Sequence, residues 1–389
     1  MLLLATACLV FTGVLMVYSS TSVVPPEGRH VQAAANISLI DVRYLKKHLI
    51  SVCLGILLMI IAYKLPIELY RKRALEILVV TAVLLLAVYL PVIGLTVNGA
   101  RRWLRIWHIT FQPSEAMKLA MVIFLSKYLS SSDFKPDEFK AFIKPIILMV
   151  CIQGILLRQP DFGSAAIIGV ITFSLLFVAN VRLTYILSVG LAFIPVVIKL
   201  VKEPYRLKRV LVFLNPWADE KNSGFQLIQS FVALGNGGIH GVGIGKSMQK
   251  LFFLPESKTD FIFAIIGEEI GLLGTVFVIC LFLLFFIRAI SIINKLEDRF
   301  MFFMAVGITL LIVLQALINM CVVTGMVPTK GLPMPFISYG GSSMIINLAE
   351  VGLLLNIAKN DTAWTESMSQ RNTTRTFNQR KARVFSYDK

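Results

Sequence analysis

The sequence of 389 residues is poor in charge, with 15% charged residues against 57% hydrophobic ones. Soluble domains carry about 25% charged residues, so water cannot be the only solvent of this chain. The apolar residues form runs almost free of charge at 54–63, 74–92, 146–157, 165–178, 276–287 and 304–318. A helix needs about 20 mainly apolar residues to span a bilayer, and the runs therefore predict a polytopic membrane protein.

Cysteine and histidine are also scarce, with five and four residues. All five cysteines fall inside predicted helices, where a thiol packs as a small apolar group, and this argues against a disulfide scaffold. The histidines show no ligand spacing, which argues against a structural metal site. No basic residue precedes Arg29, whereas a cleaved signal peptide begins with a positive segment. We therefore expect the apolar stretch 2–18 to be an uncleaved first helix.

The hydropathy pattern predicts an all-α protein with about ten transmembrane helices. They are expected near 1–20, 45–64, 74–94, 113–129, 141–157, 163–180, 183–201, 260–288, 300–326 and 342–358. A polar loop is expected at 21–44, a short basic and aromatic segment at 95–112, and a large extracytoplasmic loop at 202–259 between helices 7 and 8. Residues 1–359 then form one transmembrane domain, and residues 360–389 a disordered cytoplasmic tail.

The net charge of +16 indicates an anionic partner. On a membrane protein, lipid headgroups or a phosphorylated lipid are better candidates than nucleic acid. Basic residues divide almost evenly between the two sides, and the long loop must be discounted before the positive-inside rule favours cytoplasmic termini. The strongest inner cluster is then Arg71, Lys72 and Arg73. The outer face is unusually basic, so we expect something anionic to bind there.

Asp260 lies where the long loop meets an apolar helix. It is either a helix N-cap or a partly desolvated carboxylate that acts as a base. Glu268 and Glu269 follow in the same predicted helix, on different faces, so at most one of them can share a site with Asp260. Charged residues at membrane depth are costly and indicate function.

A glycine-rich run at 235–245 precedes Asp260. Its backbone N–H groups are suited to an anion-binding nest, although a flexible linker has the same composition. No strand or βαβ unit surrounds the run, so it is not a dinucleotide fingerprint.

A second cluster combines Arg101, Arg102 and Trp103 with Glu115 and Lys118. Glu115 and Lys118 share a helix face and can form an ion pair, and at membrane depth such a pair needs a polar cavity or partners. The arginines with Trp103, Arg105 and Trp107 either form an interfacial belt or hold a pyrophosphate.

Two further segments fall on the same side of the ten-helix arrangement. The turn from Arg158 to Gly163 contains Asp161 at a helix start, where a capped hairpin is the simpler interpretation. Segment 333–343 has enough proline and glycine to form a re-entrant segment that lines a cavity. The convergence of these clusters on one face is stronger evidence for a site than any single motif.

The chain resembles the SEDS proteins, the FtsW/RodA/SpoVE family of peptidoglycan polymerases, from Val17 to Asn356. The matching motifs are 17–20, 98–103 with 112–115, 158–163, 215–217 with 224–226, 254–263 and 335–343. The residues at 98–103 and 254–269 resemble the FtsW and SpoVE branches of the family more than the RodA branch. One departure is Lys258, which stands where a histidine is frequent and leaves a role for that side chain open.

The resemblance implies a lipid II glycosyltransferase acting outside the cytoplasmic membrane in septal synthesis, with Asp260 as the essential aspartate. The resemblance implies functional roles for Trp103 and Lys118. Further substrate-binding candidates are Arg101, Arg102, Glu115, Arg158, Asp161, Gln226, Glu268 and Ser338. No cofactor is certain; a divalent cation (Mg²⁺ or Mn²⁺) held by Asp260 is an option. The implied partners are lipid II, membrane lipids, a class B penicillin-binding protein and other division proteins.

Three alternatives stay open from the residues. A RodA-type or SpoVE-type polymerase would act in elongation or sporulation. A lipid II flippase would need polar residues through the full membrane depth; those of this chain cluster toward the outer half, with Glu350 as the exception. A noncatalytic scaffold for division enzymes would tolerate loss of the Asp260 carboxylate.

Overall fold

The computed structural model describes residues 1–21, 31–97, 99–106, 109–220, 224–250, 254–329 and 331–360. The described chain is mostly helical. The helices are α1 (Leu2–Thr21), α2 (Val31–Lys64), α3 (Ile67–Lys72), α4 (Ala74–Ala87), α5 (Pro113–Leu129), α6 (Phe139–Arg158), α7 (Phe162–Val178), α8 (Leu183–Val201), α9 (Pro204–Leu214), α10 (Phe225–Gly237), α11 (Ile262–Glu269), α12 (Gly271–Ile293), α13 (Arg299–Val323) and α14 (Gly341–Asn360), with a 3₁₀ turn at Pro216–Asp219.

Within the described residues, six helices are long and apolar enough to cross a bilayer: α1, the Tyr44–Lys64 part of α2, α6, α12, α13 and α14. Shorter apolar helices lie at Ala74–Ala87, Phe162–Val178 and Leu183–Pro195. Large apolar side chains of α2, α4 and α12 point outward and are exposed, as expected for surfaces that face lipid rather than water. The protein is therefore a multi-pass membrane protein, and the count of ten spans stays a prediction.

Helix α5 lies at the centre of the bundle, packed against α4, α7 and α13. Pro113 starts it, because proline suits the first turn of a helix. Most of its side chains are buried, including the charged Glu115 and Lys118. Because α5 is enclosed on several sides, these two charges are buried in protein and do not face lipid.

The prediction of an all-α fold is wrong at one place. Segments β1 (Gly94–Val97), β2 (Ala100–Ile106) and β3 (Ile109–Phe111) form an antiparallel sheet in the order β1-β2-β3. Helix α4 ends at Ala87, short of the predicted 94, and the chain turns so tightly that a Cβ at Gly94 would lie 2.0 Å from the Val88 carbonyl oxygen. The apolar run hid this turn. The adjacent arginines at 101 and 102 break the apolar–polar alternation of 100–106, so the strand signal in the sequence was weak.

The predicted helix 260–288 is also divided. Helix α11 ends at Glu269 and α12 begins at Gly271, whose φ of +76° is a left-handed conformation that favours glycine. Asp260 precedes α11 and is not on the helix. The expectation that Asp260, Glu268 and Glu269 occupy different faces of a single helix therefore does not apply.

Other boundaries differ in ways that matter for the site. Helix α2 begins at Val31, inside the polar loop expected at 21–44. The expected loop 202–259 contains α9, the 3₁₀ turn and α10. Trp107 and the tail 361–389 lie outside the described residues, and the disorder of the tail stays a prediction.

One end of the bundle carries the sheet, α9 to α11, and the segments 254–261 and 331–340; we call this end the loop face. The other end carries short connections between helices, and there Arg71 pairs with Asp298 at 2.5 Å. Asn356 of α14 donates to the carbonyl oxygens of Ala62 and Leu65 at 2.7 and 2.6 Å, which fixes the ends of α2 and α14 at this opposite face.

The glycine-rich run 235–245 packs against the α11–α12 break. The Val242 N–H donates to the Glu268 carbonyl oxygen and the Gly243 N–H donates to the Glu269 carbonyl oxygen, both at 2.9 Å. A Cβ at Gly241 would lie 2.2 Å from the Glu269 carbonyl oxygen. The glycines thus allow close contact between two backbone segments, which neither the linker nor the anion-nest interpretation anticipated.

We expect Gly271→Ala to destabilise the protein clearly. Its Cβ would lie 2.4 Å from the Gly241 nitrogen, and its φ of +76° is unfavourable for alanine. The matched control is Gly154→Ala within α6, where a Cβ meets nothing within 4 Å and alanine is favoured by about 0.5–1 kcal/mol. Thermal unfolding in detergent should give opposite shifts; equal midpoints would contradict the packing of Gly271 against the glycine-rich run.

Candidate active site

Asp260 ends a tight turn at the loop face. Glu256 has a left-handed φ of +55°, and its carbonyl oxygen accepts from the N–H groups of Thr259 at 3.1 Å and Phe261 at 3.3 Å. Helix α11 is preceded by Phe261 and has no side-chain cap. Asp260 is therefore not an N-cap, and the capping interpretation of this carboxylate is excluded.

Neighbouring elements hold this turn from two sides. Asn319 of α13 donates at 2.8 Å to the carbonyl oxygens of both Asp260 and Leu332. Ser338 donates to the Thr259 carbonyl oxygen at 2.5 Å and accepts from the Met334 N–H at 2.7 Å. The segment 331–340 is thus bonded to the turn, and a Cβ at Gly331 would lie 3.3 Å from Oδ2 of Asp260.

The Asp260 side chain is half-buried at this junction. Desolvation by the surrounding protein raises its pKa from 3.8 to about 7, and the negative charge of Glu256 acts in the same direction. The positive charges of Arg209 and Arg102 act in the opposite direction. A carboxyl with this pKa is suited to accept a proton near neutral pH.

Arg102 reaches the site from β2 through the turn that follows α6. Its Nε donates to the Gln159 carbonyl oxygen at 2.9 Å, and its Nη2 donates to the Pro160 carbonyl oxygen at 2.6 Å. Asp161 caps α7 by accepting from the Ser164 N–H at 3.1 Å, as the sequence suggested. The turn lies against segment 331–340, because a Cβ at Gly163 would lie 2.6 Å from a methyl group of Leu332.

Arg209 of α9 is a site residue that the sequence reasoning missed. Its Nη1 donates to the Thr329 carbonyl oxygen at 2.8 Å, two residues before Gly331. The sequence shows a basic stretch within 205–209. It does not show which of these side chains lies near Asp260, because that depends on the position of α9. Glu256 was also missed, because its effect on Asp260 depends on the left-handed turn.

Lys118 and Glu115 form a separate cluster inside the bundle. Lys118 Nζ lies 2.9 Å from Glu115 Oε1, and both side chains are almost fully buried. Glu350 of α14 is near enough for its charge to interact with both. Its Oε2 has no hydrogen-bond partner among the described residues.

Glu268 and Glu269 anchor the loop face and do not approach Asp260. Glu269 accepts from Ser19 of α1 at 2.5 and 2.7 Å and lies 3.1 Å from Lys250 Nζ. Glu268 accepts a short hydrogen bond from the Ser247 hydroxyl, and another from the Met248 N–H at 3.2 Å. These buried contacts join the segment before Asp260 to α1 and α11.

The remaining predicted site residues lie at the rim of the loop face. Arg101 donates to the Tyr89 carbonyl oxygen at 3.3 Å, and Trp103 pairs across the sheet with Leu95. Arg158 is exposed, whereas Gln226 near the start of α10 is half-buried. Their roles in substrate binding stay predictions, as do those of the buried Glu115, Lys118, Asp161, Glu268 and Ser338.

Together these features define a class: a multi-pass, mainly helical membrane protein with a carboxyl of raised pKa held by loops at one face. The model of the FtsW/RodA/SpoVE cell cycle proteins matches residues 1–363. The chain belongs to this family.

Relatives agree in name and extent. A probable peptidoglycan glycosyltransferase FtsW of Geobacter metallireducens is 42% identical, covering 92% of this chain and 93% of the relative. The protein of the same name from Coxiella burnetii is 42% identical, covering 81% of this chain and 86% of the relative. Stage V sporulation protein E of Bacillus subtilis is 36% identical over 92% and 96%.

Solved structures share the fold. A chain from a peptidoglycan synthase complex, described as coordinating polymerization and crosslinking, aligns with a TM-score of 0.74 at 26% identity, covering 92% of this chain and 97% of that one. The rod shape determining protein RodA of Thermus thermophilus aligns with a TM-score of 0.66 at 23% identity, covering 92% and 96%. The expected SEDS fold is thereby confirmed.

Proposed function

We propose that the protein is a peptidoglycan glycosyltransferase that polymerises lipid II into glycan strands during cell division. The observation that carries this proposal is Asp260, a carboxyl with a pKa of about 7 near Arg102 and Arg209 at the loop face. Transfer from a diphosphate donor requires a base for the acceptor hydroxyl and positive charge for the departing diphosphate, and this group of residues supplies both. Relatives about 40% identical bear the name probable peptidoglycan glycosyltransferase FtsW.

The reaction is an inverting glycosyl transfer. The 4-hydroxyl of the acceptor's terminal GlcNAc attacks C1 of the donor MurNAc, and a new C1–O4 bond forms. The bond between C1 and the diphosphate oxygen breaks, and its electron pair leaves with undecaprenyl pyrophosphate. Asp260 accepts the hydroxyl proton, while its main-chain contact with Asn319 holds the turn in place.

A divalent cation is compatible with these residues. Mg²⁺ is commonly held by one or two carboxylates together with substrate phosphates, and Asp260 and Glu256 supply carboxylate oxygens on one turn. Such an ion would stabilise charge on the departing diphosphate. Within the described residues, no group of three or more His, Cys, Asp or Glu side chains is arranged for a metal.

The loop face is the extracytoplasmic face in this proposal, and both termini are cytoplasmic. Ten described helices, taken in chain order, supply one helix for each proposed crossing: α1, α2, α4, α5, α6, α7, α8, α12, α13 and α14. The large connection between the seventh and eighth crossings then carries α9 to α11. Lipid II, presented outside, meets Arg102 and Arg209 there.

The partner is a class B penicillin-binding protein that supplies transpeptidation, assembled with other division proteins in the membrane. Support comes from the structural neighbour, which is part of a peptidoglycan synthase complex. We further propose that Trp103, Arg101, Arg158 and Gln226 contact substrate from the rim. Asp161, Glu268 and Ser338 act by holding the loops in place.

Incubation of the purified protein and its partner with labelled lipid II tests the proposal. Polymer should form and undecaprenyl pyrophosphate should be released. No polymer from an intact complex with active transpeptidase would contradict it.

The flippase alternative is favoured by one observation, the buried Glu115, Lys118 and Glu350, which extend polar groups below the site. In proteoliposomes, a flippase would expose fluorescent lipid II to the outside without a partner. We expect no such exposure, and the Glu350→Gln variant to behave as the wild type in this assay.

Experiments in cells test the scaffold alternative and distinguish a division role from a RodA-type or SpoVE-type role. A scaffold predicts normal growth and partner recruitment in an Asp260→Asn strain, whereas the polymerase predicts recruitment without growth. A fluorescent fusion that localises at the septum supports the division role; localisation along the cell cylinder or at a forespore supports a RodA-type or SpoVE-type role.

A further inference from the structure

The main chain that carries Asp260 is held at three consecutive carbonyl oxygens, those of residues 258–260. The donors, in the order of their acceptors, are the Tyr339 N–H at 2.9 Å, the Ser338 hydroxyl at 2.5 Å and the Asn319 amide at 2.8 Å. Bonds on successive residues leave the turn little freedom to move against segment 331–340. The position of Asp260 relative to that segment is therefore fixed.

The carboxylate of Asp260, in contrast, is left open. Among the described residues, neither of its oxygens accepts a hydrogen bond, although its main-chain carbonyl oxygen does. A Cβ placed at Gly331 would lie 3.3 Å from Oδ2 and would meet no other described atom within 4 Å. Gly331 is itself exposed. The missing side chain therefore leaves a gap that opens to the surface and borders Oδ2.

Two explanations for a glycine at 331 differ in what they predict. Its φ of +65° is a left-handed conformation, which glycine adopts freely, asparagine tolerates and alanine resists. The gap beside Oδ2 requires the absence of any side chain, asparagine included. Backbone strain is thus relieved by asparagine, whereas crowding of the carboxylate is not.

We infer that Gly331 controls access to the base: its missing side chain keeps Oδ2 of Asp260 open to the 4-hydroxyl of the acceptor sugar. This role rests on the proposed glycosyl transfer. The proton passes from O4 to Oδ2 as O4 bonds to C1, and the electron pair of the broken C1–O bond leaves with the diphosphate. The hydroxyl oxygen must first lie about 2.6–3.2 Å from the base. A methyl group at 331, with its carbon 3.3 Å from Oδ2, would occupy this space.

Polymerisation of labelled lipid II by variants at 331, with the partner present, tests this access. Gly331→Ala should lower kcat by about 100-fold, the cost of displacing a reacting group by about 1 Å. KM should stay near the wild-type value, because the added methyl group touches the base and not the parts of lipid II that are bound elsewhere. Gly331→Asn should lose as much activity as Gly331→Ala, although its side chain suits the left-handed conformation better.

Access to the Asp260 carboxyl is also measurable without turnover. A water-soluble carbodiimide with an amine nucleophile converts carboxyl groups that it can reach into amides, and mass spectrometry locates each amide. In the wild type, Asp260 should be labelled together with Glu256, which is exposed on the same turn. Gly331→Ala and Gly331→Asn should lose most of the labelling at Asp260 and keep that at Glu256.

Gly99→Ala is the matched control for Gly331→Ala. Gly99 is exposed in the turn between β1 and β2, has a φ of +74°, and a Cβ there would meet nothing within 4 Å. Both alanine variants should lose unfolding midpoint to a similar extent, because each strains a left-handed residue. Gly99→Ala should keep the wild-type kcat and the wild-type labelling of Asp260.

Three results would overturn the access role of Gly331: wild-type kcat in Gly331→Ala, recovery of activity in Gly331→Asn, or no labelling of Asp260 in the wild type. Recovery in Gly331→Asn would assign the effect to the backbone alone. A wild type that forms no polymer, with labelling of Asp260 that depends on residue 331, would reject the glycosyl transfer and leave the control of access standing. Polymerisation that is independent of residue 331 would do the opposite.

Discussion

Asp260→Asn is expected to lower the rate of lipid II polymerisation by about 100-fold to 10,000-fold, the usual contribution of a general base. Asparagine keeps the size of the side chain and cannot accept the proton of the acceptor hydroxyl. The turn should remain intact, because it is held through the main-chain oxygens of Asp260 and Thr259. Polymer formed per minute from labelled lipid II, with partner present, measures the loss.

Asp137→Asn is the matched control for this change. Asp137 lies at the opposite face, is exposed, and pairs with Arg182 at 2.8 Å. It should polymerise at the wild-type rate. Wild-type activity in Asp260→Asn would remove Asp260 from the mechanism, and equal losses in both variants would point to damage unrelated to the base.

Lys250→Met is expected to destabilise the protein by about 3–5 kcal/mol, the cost of leaving a buried charge unpaired. Lys250 Nζ donates to the carbonyl oxygens of Ser19 at 2.9 Å and Gly245 at 2.7 Å, and contacts Glu269 at 3.1 Å. Without Lys250 the buried Glu269 carboxylate loses its ion-pair partner and keeps the hydrogen bond from Ser19. Unfolding of the purified protein in mixed detergent micelles measures the change.

The double variant Lys250→Met/Glu269→Gln should recover much of this stability, because no uncompensated charge remains. Lys135→Met is the surface control: its pair with Glu138 is exposed at 68% and 53%, and such pairs contribute about 0–1 kcal/mol. A single-variant loss as small as that of Lys135→Met would show that the buried pair does not secure the loop face.

The membrane class and the place of most helices follow from the sequence, because apolar runs of this length and number are typical of helices that lie in lipid. The turn at Gly94 and the break at Gly271 do not, because both lie inside or beside apolar runs and depend on backbone contacts with distant segments. Hydropathy cannot register a glycine that is needed for close approach.

The site was predictable in part for a similar reason. Asp260 and Arg102 belong to recognisable motifs, and their convergence on one face was expected and is observed. Arg209 and Lys250 are basic residues in a region full of basic residues, so their sequence positions alone do not separate the one near Asp260 from the one buried against Glu269. Only the path of α9 and the packing of the glycine-rich run distinguish them.

The pH dependence of kcat/KM for lipid II polymerisation is the most direct test of Asp260 as the general base. Because Asp260 must be ionised to accept a proton and its pKa is about 7, the rate should rise with pH, by about tenfold per unit well below pH 7, and level off above it. In Asp260→Asn the residual rate should lack this rise. A wild-type profile that is flat from about pH 5 to pH 8, or the same rise in the variant, would contradict the assignment of Asp260 as the base.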